Sequence, residues 1–162
     1  MAKNILGVGF PVFSINDSGE LEVFTVKELR DKPEYFKKKG MISFPLETFE
    51  EKDVTPHGTI LRLIKEEMGF LNGQVKICHI FREKFNLIPG RRDVFTAYGY
   101  GIFTGDRNQI LQPEDDDVAY FGWKTIPELF RHSVRIETSP ILDHFLDSPY
   151  YRKLIKKLAK AA

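Results

Sequence analysis

Two adjacent carboxylates, Glu66 and Glu67, close the segment Arg62-Leu63-Ile64-Lys65-Glu66-Glu67-Met68-Gly69-Phe70. If this segment is a helix ending at Gly69, its last carbonyls present partial negative charge, and each carboxylate there is unfavourable by roughly 0.3–1 kcal/mol. The two also repel one another unless a cation neutralises them. A hard divalent cation, Mg²⁺ or Mn²⁺, resolves both costs, because two carboxylates plus substrate phosphates are a common way of holding Mg²⁺. Arg62, one turn before Glu66, can support it as an i,i+4 pair. The plainer alternative is a solvated helix end with a local Arg–Glu pair. Further acids lie on two flanking loops: Glu47, Glu50, Glu51 and Asp53 before the segment, and Glu114, Asp115, Asp116 and Asp117 after it. Taken singly, each of these acids reads most simply as solvated loop charge.

The elements that must position these groups follow from pattern. Residues 5–15 read as a strand, residues 16–19 as a turn, and residues 21–26 as the returning strand. A polar stretch, residues 27–40, carries Pro33 and the cluster Lys37, Lys38, Lys39, and reads as an exposed loop or short helix. Residues 41–45 form a short apolar strand, followed by an acidic loop over 47–53. Thr55 and Pro56 predict a helix start, a capping hydroxyl with proline at the first helical position. Ile60, Leu61, Ile64 and Met68 then recur at helical spacing, and Gly69 ends the helix. Residues 75–86 and 93–103 alternate and flank Pro89-Gly90, which predicts a hairpin. A strand over 119–123, helical turns over 127–130 and 140–146, and a basic amphipathic helix over 150–162 complete an α+β pattern, a mixed sheet covered by helices.

The segment 62–70 resembles the helix of the Nudix box, whose second half runs Arg-Glu-aliphatic-x-Glu-Glu-x-Gly-aliphatic. Arg62, Ile64, Glu66, Glu67, Gly69 and, loosely, Phe70 carry the match. Ser43-Phe44-Pro45 is similar to the strand end that leads into the box, and Asp117 to Trp123 with Ile126-Pro127-Glu128-Leu129 is similar to the family's late acidic loop, strand and short helix. The resemblance spans about residues 5–146 and implies an α/β/α sandwich, read as one domain over 1–162. The box is degenerate. Thr48 and Val54 stand where glycine and glutamate are expected; a one-residue insertion would give Glu47 the glycine position and let Asp53 replace the glutamate. Leu63 replaces the first glutamate of the box helix and can neither bind metal nor activate water.

The resemblance implies metal-dependent hydrolysis of the pyrophosphate in a nucleoside diphosphate linked to another group. On that reading Glu66 and Glu67 are catalytic metal ligands, Arg62 fixes them, Glu114 is a third ligand and Asp117 a catalytic acid from the late loop. Arg91 and Arg92, with Lys37 to Lys39, are the expected phosphate contacts, against a reading as ordinary surface charge. Leu63 in place of the box glutamate, and the missing glycines, keep a second class open: a non-catalytic Nudix-fold module that binds a nucleotide or a protein partner.

Composition narrows the remaining options. In 162 residues, 24 Lys and Arg nearly balance 23 Asp and Glu, so there is no global polycation for nucleic acid. His57, His79, His132 and His144 lack ligand spacing, which argues against a histidine metal site. The single cysteine, Cys78, excludes an internal disulfide, and its apolar neighbours predict a small buried hydrophobe. The short apolar N-terminal run has no Ala-x-Ala pattern and reads as a strand, no run is long enough to span a bilayer, and the expected compartment is the cytoplasm. Tyr151, Leu154, Ile155 and Leu158 share one face of the last helix, which predicts docking on its own domain or, in a homodimer, on a second subunit.

Overall fold

The computed structural model describes residues 5–69, 73–85, 87, 94–108 and 113–161. One mixed sheet of eight strands carries the architecture: β1 (Ile5–Gly9), β2 (Val12–Ile15), β3 (Leu21–Glu28), β4 (Ile42–Ser43), β5 (Leu46–Thr48), β6 (Val75–Lys84), β7 (Val94–Phe103) and β8 (Val118–Thr125). The strand expected over 5–15 is broken in two by Phe10 and Pro11. Proline has no amide to give the ladder, and each half finds its own partners. β1 runs parallel to β7 and antiparallel to β5, whereas β2 runs parallel to β7 farther along and antiparallel to β3. The Pro11 carbonyl still accepts from Gly101 N at 3.0 Å, so β7 stays continuous across the break. β6 pairs antiparallel with β7, as the alternation predicts; the Pro89-Gly90 turn lies outside the described residues.

Helices cover both faces. α1 (Pro56–Leu63) packs on one; α3 (Thr138–Leu146) and α4 (Pro149–Ala161) pack on the other, with α2 (Ile126–Leu129) a single turn after β8. β7 shows how the two faces divide. Tyr98, Tyr100 and Ile102 enter the core beneath α3 and α4, while Gly99 leaves room on the opposite face for Ile60 of α1. A β-carbon at Gly99 would lie 2.7 Å from Ile60 Cδ1, so this glycine lets the helix settle directly on the sheet. Leu154 and Leu158 of α4 are buried against the sheet's core, while Tyr151 and Ile155 of the same stripe are half-buried. Cys78 differs from expectation: it is only half-buried, and loss of solvent pushes its thiol up. Among the described residues, no helix is long and apolar enough to cross a membrane.

Candidate metal centre

The helix that bears the glutamates starts as its sequence dictates. Thr55 Oγ1 accepts from Gly58 N at 3.2 Å, and Pro56 follows at the first helical position. Its end differs from the expected α-helix. Ile64–Met68 form a π-helical turn, closed by Gly69 N donating to Ile64 O with Gly69 at φ 65°. The burial along the helix departs from the expected stripe. Ile60, Leu63 and Met68 are buried, while Leu61, expected on the apolar stripe, is 52% exposed. π-turns inside helices often accompany functional sites. Here the turn carries both glutamates into one cleft, with Glu67 buried and Glu66 part-exposed at the rim.

Glu67 is 3% exposed, and burial pushes its carboxyl well above the usual range. The nearby charge of Glu47 pushes the same way, while Arg135 and Lys37 partly offset it. Carboxylate oxygens of Glu47 in the middle of β5, Glu67 on the π-turn and Asp115 on the late loop all lie within 4.8 Å of one another. Three carboxylates at that separation cannot all ionise cheaply without a cation. All three line a cleft of about 480 Å³ together with Glu50, Glu66, Glu114 and Asp117, and with the cations Lys32, Lys37, Lys52 and Arg62. The late loop is tied to the helix end directly: Asp115 N donates to Glu66 O at 2.9 Å, and Asp117 N donates to Asp115 Oδ1 at 2.9 Å.

Arg62 organises the opposite wall. Its Nε and Nη2 grip the two oxygens of Asp53, each at 3.0 Å, and Nη2 also donates to Thr48 O at 2.9 Å. Its Nη1 lies 3.6 Å from carboxylates of Glu47, Glu50 and Glu66. This bidentate pairing holds the Asp53 carboxyl down at about 2, and Asp53, with the nearby charges of Glu47 and Glu50, holds the guanidinium above its ordinary value. Asp53 also accepts from Thr59 Oγ1 and Glu50 N, so the loop before α1 is fastened to the helix it precedes. Gly58 permits this closeness, since a β-carbon there would fall 2.0 Å from Asp53 O.

The expected site residues thus take different places. Glu66, Glu67 and Arg62 come together in one cleft with Glu114 and Asp117. Glu66 and Glu114 line the cleft but stand outside the close trio, whose late-loop member is Asp115. Asp117 is bound by Lys32 Nζ, with Arg30 at 3.4 Å, and these cations lower its carboxyl. Arg91 and Arg92 lie outside the described residues. Lys37 reaches the cleft, whereas Lys38 and Lys39 are exposed away from it. Leu63, at 1% exposure, belongs to the core.

Two features escaped the sequence reading. Lys32 is one, its pairing with Asp117 spanning 85 residues. The other is a buried cluster behind Glu67, in which Arg135 lies 3.4 Å from Glu28 and 3.5 Å from Glu137, and Lys37 lies 3.9 Å from Glu28. The aspartate run 115–117 carried a usable signal for Asp115, because an aspartate accepting from the amide two residues on is a common turn device.

No family model matches the chain, and no curated protein matches it in sequence. Solved structures do match in fold. The Nudix domain of Shewanella oneidensis NrtR, solved with ADP ribose, has a TM-score of 0.61 at 13% identity, over 88% of this chain and 86% of that one. RenU, a Nudix hydrolase from M. smegmatis, has a TM-score of 0.60 at 10% identity, over 90% and 88%. The Ap4A hydrolase of C. elegans has a TM-score of 0.55 at 10% identity, over 85% and 89%. With a mixed eight-stranded sheet between helices and the glutamate-bearing helix on one face, this chain has the Nudix fold.

Proposed function

We propose that the chain is a divalent-metal-dependent hydrolase that cleaves the pyrophosphate of a nucleoside diphosphate linked to another group. One observation carries the reading: a deeply buried carboxylate, Glu67, shares a 4.8 Å cluster with Glu47 and Asp115. Burying one carboxylate beside two others is costly unless a cation completes the site. The donor set is all oxygen, which suits Mg²⁺ or Mn²⁺.

Glu47, Glu67 and Asp115 would hold the metal, and Glu66 and Glu114 border them. When bound, the metal supplies charge neutralisation on the phosphate oxygens and acidifies water. Arg62 holds Glu47, Glu50 and Glu66 in place, so the carboxylates are oriented before substrate arrives. Lys37 and Lys52 face the cleft as cations for the phosphates. Asp117 holds Lys32 at the cleft wall. Glu66, partly exposed and on the same wall, accepts the proton of the attacking water. Water oxygen adds to one phosphorus, the P–O bridge breaks, and the bridging oxygen leaves with the other phosphate. NrtR's Nudix domain was solved with ADP ribose, a molecule of the proposed substrate class.

A second reading, a nucleotide-binding module without turnover, is favoured by Leu63, whose burial removes one box carboxylate for good. The test is phosphate release with Mg²⁺ or Mn²⁺ over a panel of nucleoside diphosphate derivatives, with Glu67→Gln as control. Turnover abolished by Glu67→Gln supports the hydrolase; metal-dependent nucleotide binding with no turnover supports the module.

A further inference from the structure

A second cavity, about 500 Å³, adjoins the acidic cleft, and Lys37 lines both. Its walls are Pro33, Phe36, Met41 and Ile136 with the stems of Lys37 and Lys38, and its surface is almost all carbon. A closed arch separates the two. Lys32 N donates to Lys37 O at 3.0 Å and Lys37 N donates to Lys32 O at 3.1 Å, so residues 32–37 form a small hairpin. On the cleft side the arch is anchored by Lys32 on Asp117 and by Lys37 near Glu28. On the far side it presents Phe36, which is 42% exposed and sits at φ 57°. A phenylalanine in the left-handed region, half in water, is unfavourable on both counts, and such outliers persist only where the surrounding structure over-determines them. Leu29 and Tyr35, also exposed, belong to the same segment.

We propose that this apolar pocket seats the nucleobase of the nucleoside diphosphate substrate, a flat uncharged ring laid against Phe36 and Met41, with little discrimination between bases. The proposal rests on the acidic cleft's holding the substrate's phosphates. Lys37 is the residue the two walls share, so a nucleotide with its phosphates by Lys37 would cross the arch with its ribose and set its base in the pocket beyond. The volume falls in the usual range of small-molecule sites, about 300–1,000 Å³. Strong choice between bases requires hydrogen-bonding groups that a wrong base leaves unpaired. Among the described residues lining the pocket, the polar groups are Asp31, whose Oδ1 already accepts from Lys39 N at 2.8 Å, and the two lysines.

The experiment measures equilibrium binding of ADP, GDP and inorganic pyrophosphate, each with Mg²⁺, to wild type, Phe36→Ala and Phe36→Asn. Asparagine tolerates the left-handed backbone and removes the ring, so the pair separates loss of the ring from loss of the arch. The expected result is ADP and GDP within about threefold of each other in wild type, and both at least about tenfold tighter than pyrophosphate. Both variants lose about tenfold for the nucleotides and keep pyrophosphate affinity within about twofold. Wild type binding all three ligands equally, or variants that bind the nucleotides unchanged, overturns the base pocket and leaves the phosphate cleft standing. Variants that lose pyrophosphate equally overturn it too, since Phe36 would then act through the cleft. Wild type that binds none of the three overturns the hydrolase reading together with the pocket.

Discussion

The amide of Asp115 donates to the carbonyl of Glu66 at 2.9 Å, and this bond hangs the late acidic loop on the π-turn that carries Glu66 and Glu67. A helix end leaves carbonyls without intrahelical partners. Here one of them is satisfied by the loop that brings the third carboxylate of the site. Helix end and loop are therefore one unit, and the spacing of Glu67 to Asp115 is set by backbone as well as by side chains.

Asp115→Asn separates those two contributions. It keeps the backbone bond and removes the charge. Mutations of residues that only orient metal ligands typically lower metal affinity by about 10–100-fold, and loss of a ligand should cost no less. The expected outcome is at least about tenfold weaker Mn²⁺ binding by titration calorimetry, with an unchanged or raised metal-free melting temperature. Undiminished Mn²⁺ affinity would remove Asp115 from the site.

Leu63→Glu puts back the type of residue that the resemblance leads one to expect. Leu63 is 1% exposed in the core beside Ile60 and Met68, so a carboxylate there would be buried without a partner. The expected outcome is loss of several kcal/mol of stability, on the order of what an unpaired buried charge costs, and no gain of activity. Leu63→Ala should lose about 2–5 kcal/mol by leaving a cavity. Denaturant melts measure both, and a stable, more active Leu63→Glu protein would place the side chain in the cleft instead.

Arg62 and Asp53 give the protein a defined acid sensitivity. The Asp53 carboxyl is lowered from 3.8 to about 2 by the Arg62 guanidinium, and its side chain is only 3% exposed. A carboxyl lowered on folding contributes stability above its unfolded value, lost as pH falls through its folded one. That contribution is about 2 kcal/mol at neutral pH and is lost between about pH 4 and pH 2. Asp53→Asn should therefore be destabilised at pH 7 and close to wild type near pH 2, by urea midpoints at the two values. An equal deficit at both would assign the loss to packing.

The sequence made some of this legible for reasons that are local. Thr55, Pro56 and Gly69 state the ends of the site helix through capping chemistry and a left-handed glycine, and the ends fall there. Tyr98-Gly99-Tyr100-Gly101 alternates as a strand must, and the structure uses the glycine face for α1. Register inside the helix was not legible, because the 3.6-residue period assumes a regular α-helix and the chain widens into a π-turn at Ile64–Met68. The choice of Asp115 over Glu114 depends on one backbone bond to a residue 49 positions earlier (115 minus 66). The Glu28–Arg135 pair joins β3 to the segment before α3, and no spacing rule connects residues 107 apart.

Metal-linked stability tests the centre without knowledge of the substrate. The metal-free protein bears the burial of Glu67 near Glu47, which raises the Glu67 carboxyl and favours its neutral form. A cation that binds only the folded chain stabilises it by RT ln(1 + [L]/Kd), about 2.7 kcal/mol at one hundred times Kd. Melting temperature should rise with millimolar Mg²⁺ or Mn²⁺, and more with ADP present, whose phosphates complete the coordination shell. Glu67→Gln should melt at or above wild type without metal at neutral pH, because a neutral amide replaces a buried carboxyl, and should lose most of the metal-induced rise. The two effects have opposite signs in one variant, which general damage to the fold cannot produce. A Glu67→Gln protein that melts lower without metal yet gains as much from metal and ADP as wild type would place the cation elsewhere.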